Sequence, residues 1–160
     1  MSYTQALTGA AGFVVGALAV PVAITLGETA GEKLAVTTGL HREKFRLAKS
    51  SGEVLGATIL THLVSLENSP FSNGLKTAVK IVTAILSTWT GMDAGNAVAK
   101  AMKGDYYVIR EVNALFDAAI TITAIFLAIV SAQFVNPLVV PFVGAAAGGL
   151  LNFTATMILT

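Results

Sequence analysis

Two long apolar segments at the end of the chain limit what it can fold into more than any other feature. Residues 112–134 carry almost no polar side chain, Val135-Asn136-Pro137 marks a turn, and residues 137–160 are apolar again. At about 1.5 Å per helical residue, each segment is long enough to cross a hydrocarbon core of about 30 Å. Two such segments joined by a short turn predict a transmembrane helical hairpin.

Composition agrees. The chain has 160 residues, 54% hydrophobic and 12% charged, where soluble domains carry about a quarter charged. Mean hydropathy is +0.75. The length fits a single membrane-embedded domain, 1–160. A net charge of +1 implies no strong polyelectrolyte partner. The absence of cysteine excludes disulfides, thiolate metal ligands and a cysteine nucleophile.

Residues 6–27 form the first expected span, free of charge and interrupted only by Pro21, which should kink it. Met1-Ser2-Tyr3-Thr4-Gln5 has no positive region of the signal-peptide kind, so this helix is expected to stay. Gly9, Gly12 and Gly16 form a small-residue face of the type that lets helix backbones approach in lipid. Residues 28–53 read as a polar, basic loop, with Arg42, Lys44, Arg46 and Lys49 as its cations. These four are candidates for anionic-lipid or nucleic-acid contact, or simply set topology. The stretch Gly27-Glu28-Thr29-Ala30-Gly31-Glu32-Lys33 lacks the spacing and the final hydroxyl of a phosphate-binding loop.

Residues 54–66 and 75–90 are short apolar helices, either thin spans or a re-entrant pair, joined by a turn-rich ENSPFSNG segment. Residues 93–103 read as a separate amphipathic helix with Asp93 as its N-cap. Basic residues cluster in 28–53 and again at Lys100, Lys103 and Arg110. By the positive-inside rule both regions face the cytoplasm, the N-terminus lies outside and the C-terminus inside. The expected architecture is an all-α, polytopic membrane bundle with about five embedded helices, at least three of them spanning.

Two polar features stand out within the hairpin. Arg110, Asn113, Asp117 and Thr121 share one helix face, which should look toward protein or water and not lipid. Asp117 on that face suits either an ion path or a pairing with a nearby cation. In the last helix, Gly144 and Gly148 recur at four-residue spacing with Asn152, and Gly149 extends a parallel small-residue row. That pattern suits a packing face with an interhelical hydrogen bond.

His41 and His62 lack companion ligands at metal-binding spacing, and no nucleophile elbow or dinucleotide fingerprint is present. No cofactor and no catalytic residue is expected. The sequence therefore points to a non-enzymatic structural subunit of a membrane assembly, homo-oligomeric or joined to other membrane subunits. One alternative is a small homo-oligomeric ion or solute channel built around the Asp117 face. Another is a hydrophobic coat or filament subunit of viral or pilus type, the one reading in which nucleic acid is a partner. Membrane lipids are partners in every case.

Overall fold

The computed structural model describes residues 3–65, 73–103 and 114–158. These residues form five α-helices and no strand. They are α1 (Tyr3–Thr37), α2 (Glu43–Ser65), α3 (Asn73–Lys103), α4 (Ala114–Ala132) and α5 (Val140–Ile158), the last preceded by a 3-10 turn at Pro137–Val139.

The helices are longer than hydropathy alone suggests. The stretch expected as a polar loop, 28–53, is helical except for a turn at 38–42, because α1 continues past Glu28 and α2 begins at Glu43. Glu, Lys, Leu and Ala are good helix formers, so polarity here ends the apolar surface without ending the helix. Likewise 75–90 and 93–103 are one helix. Gly91 and Asp93 look like a break and a cap, yet Asp93 pairs with Arg46 in mid-helix, and Gly91 lets α5 approach closely. Tertiary contacts offset the helix penalty of glycine, roughly 1 kcal/mol. Pro21 lies inside an unbroken α1.

The turns follow local rules. Gly39 adopts φ 72°, and the amides of Gly39 and Leu40 reach back to the carbonyls of Val36 and Ala35. This is a Schellman ending, which needs a residue tolerant of left-handed backbone. Arg42 at φ 55° redirects the chain into α2. At the α4–α5 turn expected at Val135-Asn136-Pro137, the Asn136 side chain accepts the Leu138 amide at 3.0 Å and so caps the helical turn that Pro137 begins.

α3 is the central helix and touches all four others. α1 runs alongside it from Gly9 against Gly74 and Gly16 against Leu75 and Ala78. α2 runs back antiparallel, so that Arg46 meets Asp93 and Glu53 meets Thr90. α5 lies parallel to α3 but further along it, with Gly144 on Ala84 and Ser87 and Gly149 near Gly91 and Gly95. α4 returns along the outside of this pair, where Ala128 and Ala132 cluster with Ala84 and Val140.

The interior is made of small residues. Among the described residues the buried hydrophobic positions are nine alanines, four valines and Leu75, joined by buried Ser50, Thr61, Thr83, Ser87, Thr88, Thr90, Asn152 and Thr156. Two of the buried threonines satisfy themselves locally: Thr61 donates to the Ala57 carbonyl at 2.7 Å and Thr88 to that of Ala84 at 2.8 Å. Many large apolar side chains point outward, among them Leu18 (65% exposed), Leu26 (67%), Leu55 (60%) and Phe126 (65%). α1 and the Pro137–Ile158 segment are long and apolar enough to cross a membrane, and within their most apolar stretches only 11% and 28% of residues are buried in the fold.

Candidate functional site

Two glycine seams hold the bundle. Between α1 and α2, a methyl group on Gly27 would overlap the Gly52 carbonyl, one on Gly31 the Ala48 carbonyl, and one on Gly56 the Ala23 carbonyl. Between α3 and α5, a methyl on Gly91 would overlap Ala145, one on Gly148 the Thr88 carbonyl, and one on Gly144 would stand 2.8 Å from the Ser87 Cβ. Such backbone contact maximises dispersion where lipid supplies no hydrophobic drive between helices. Asn152 adds a polar tie, its buried amide donating to the Met92 carbonyl on α3.

The small residues singled out from sequence divide between these contacts. Gly16 rests on α3, and Gly144, Gly148 and Gly149 face α3. A Cβ on Gly9 would meet nothing within 4 Å, although Gly74 packs onto the Gly9 backbone. Gly12 is half-buried on α1. Sequence reasoning missed Gly27/Gly31, Gly52/Gly56 and Gly91/Gly95. Each pair has the same four-residue spacing, but lies in a segment whose charges or apparent break drew attention elsewhere.

Across the bundle, near where the apolar part of α1 ends, lies a polar girdle. Glu28 of α1 pairs with Lys49 of α2 at 3.4 Å, and Arg46 of α2 pairs with Asp93 of α3. Between them, Glu53 of α2 accepts a 2.7 Å hydrogen bond from the Thr90 hydroxyl. Glu53 sits just before the apolar stretch 54–66, outside the expected span. Burial raises its carboxyl above the ordinary 4.5; the Thr90 bond opposes this, Glu28 adds to it, Lys49 opposes it and Asp93 adds to it. The girdle thus neutralises charge in pairs, and Glu53 binds its proton more readily than a free carboxyl does.

Of the four basic candidates, Arg46 and Lys49 are engaged within the chain. Lys44 is exposed, and Arg42 forms the turn before α2. On the Asp117 face, Arg110 and Asn113 lie outside the described residues, as does the Asp117 side chain. Thr121 donates to the Met92 sulfur at 3.7 Å, placing that part of α4 against α3.

No family model matches the chain, and no curated protein or solved structure matches it either.

Proposed function

We propose that this protein is a non-enzymatic structural subunit of a membrane assembly. The observation that carries this reading is the inverted distribution of side chains: alanine, glycine, valine, serine and threonine fill the buried interior, while many leucines and phenylalanines stand exposed. In water, each large apolar side chain left exposed forgoes about 1.5–3 kcal/mol of burial, and net fold stability is only about 5–15 kcal/mol. In lipid that loss vanishes, and small-residue contact becomes the main way to hold helices together. The paired charges of the girdle suit the same setting, since an uncompensated charge near the hydrocarbon is costly.

On this reading all five helices are embedded. α1, α4 and the Pro137–Ile158 segment span, and the first halves of α2 and the end of α3 project into the cytoplasm. The Arg46–Asp93 pair supports this topology by putting the basic 28–53 stretch beside the part of α3 that leads to Lys100. The intrachain seams use much of the small-residue surface, so further copies or partner subunits meet the outward Leu and Phe faces.

The test is extraction of the native membrane at alkaline pH, followed by native mass measurement in a gentle detergent. The protein is expected to stay with the membrane and to emerge as a mass above that of one chain. Release into the soluble fraction would overturn the membrane assignment. A strictly monomeric mass would overturn the assembly role.

A further inference from the structure

The geometry points to a phospholipid-binding site on the α1–α2 hairpin that takes one acyl chain in a glycine-floored groove and an anionic headgroup at Lys33 and Lys44. This rests on the membrane reading above and goes beyond it by naming a ligand and a site.

The groove has a volume of about 740 Å³, within the roughly 300–1,000 Å³ of small-molecule sites. Its floor is the seam itself, Gly27 and Gly31 against Gly52 and Gly56, where the absence of side chains leaves a trough. Its rim is made by Leu26, Leu34, Leu55 and Ile59, each more than half exposed. From Ala23 to Leu34 the trough follows α1 for twelve residues, about 16 Å. Its upper part lies beyond the hydrocarbon, but on α2 the trough continues from Gly52, level with Gly27, to Leu63, about 16 Å, which matches one leaflet of a roughly 30 Å hydrocarbon core. The shape is long, narrow and apolar, which suits a single chain.

Charge decides the headgroup. The trough continues past Glu28, the first charged residue of α1, so its upper part lies at the polar boundary. Lys44, one turn before Ala48 on α2, and Lys33, one turn after Ala30 on α1, are both exposed and flank the upper end of the groove without lining it. Neither lysine makes an ion pair among the described residues, whereas Arg46 and Lys49 are already paired. The neighbouring acids turn away. Glu32 is two residues from both Ala30 and Leu34, hence on the far side of α1, and Glu43 lies about 140° around α2 from Ala48. The mouth of the groove therefore presents cations without their counter-charges, and a lipid phosphate supplies them.

The test is native mass spectrometry of the full chain in detergent with either dioleoylphosphatidylglycerol or dioleoylphosphatidylcholine added. The wild type is expected to retain one lipid per chain, with the anionic lipid preferred. Ala30→Phe fills the trough from an exposed position and should abolish retention of both lipids while circular dichroism stays unchanged. The double variant Lys33→Gln/Lys44→Gln should keep the phosphatidylcholine adduct and lose the anionic preference, by about fivefold for each lysine. Retention by Ala30→Phe equal to wild type would overturn the site. So would a double variant with its preference intact. A lipid-free wild-type dimer that Ala30→Phe converts to monomer would assign the groove to a second copy instead. Alkaline extraction of the same preparations separates this from the broader reading: wild type and variants all staying membrane-bound leaves that reading standing when the site fails.

Discussion

Glu53 shows how a residue unremarkable in sequence gains its character from the fold. Its partner Thr90 is 37 positions away, and its neighbours Glu28 and Asp93 come from two other helices. No local pattern announces this, so it was not legible before the helices were placed. The raised carboxyl has a definite consequence for stability. Below the unfolded value near 4.5 the group is protonated in both states and its burial is harmless. As pH rises from there through the higher folded value, the unfolded chain ionises first and stability falls. Glu53→Gln should therefore remove a decline in melting temperature that wild type shows in detergent above about pH 4.5, while keeping an acceptor for Thr90. A variant whose melting temperature declines with pH as steeply as wild type would show that Glu53 is not held in that way. Asn152, by contrast, was readable in advance: an amide on a glycine-lined face of an apolar helix has few uses except a bond to the next helix, and Met92 supplies the acceptor.

At the level of the helices, the C-terminal hairpin and its Asn136 turn were legible because length, hydropathy and turn chemistry agree there. α2 and α3 were not, because their polar and apolar halves belong to single helices, and hydropathy windows cut them where composition changes. The glycine at position 91 illustrates the ambiguity: the same residue marks a helix end in one context and a helix crossing in another. The crossing can be tested by contrast. Gly91→Ala forces a methyl into the Ala145 backbone and should cost about 1–3 kcal/mol of stability, as overpacking does. Gly9→Ala meets nothing within 4 Å and should be neutral or stabilising by up to about 1 kcal/mol. Thermal unfolding of the two proteins in the same detergent checks this, and equal melting temperatures would contradict the seam.

For the molecule as a whole, the proposed membrane setting and the arrangement of helix ends together predict which parts share a side. Thr38 and Ile158 lie toward the end that carries Arg46 and Asp93, and Thr4 lies at the other. The cysteine-free chain makes this easy to examine with single-cysteine variants and an impermeant maleimide. Thr38→Cys and Ile158→Cys should react only from the cytoplasmic side and Thr4→Cys only from outside. Reaction of Thr38→Cys and Thr4→Cys from one side would refute the topology.

The central claim, a bundle turned outward toward lipid, is tested most directly by labelling the native membrane with a lipid-soluble carbene reagent and mapping the adducts by mass spectrometry. Adducts are expected at Leu18, Leu26, Leu55, Phe126 and Phe142, and protection at Val20, Val79, Val140 and Asn152. Uniform protection of the outward leucines and phenylalanines, or labelling concentrated at the buried set, would contradict it.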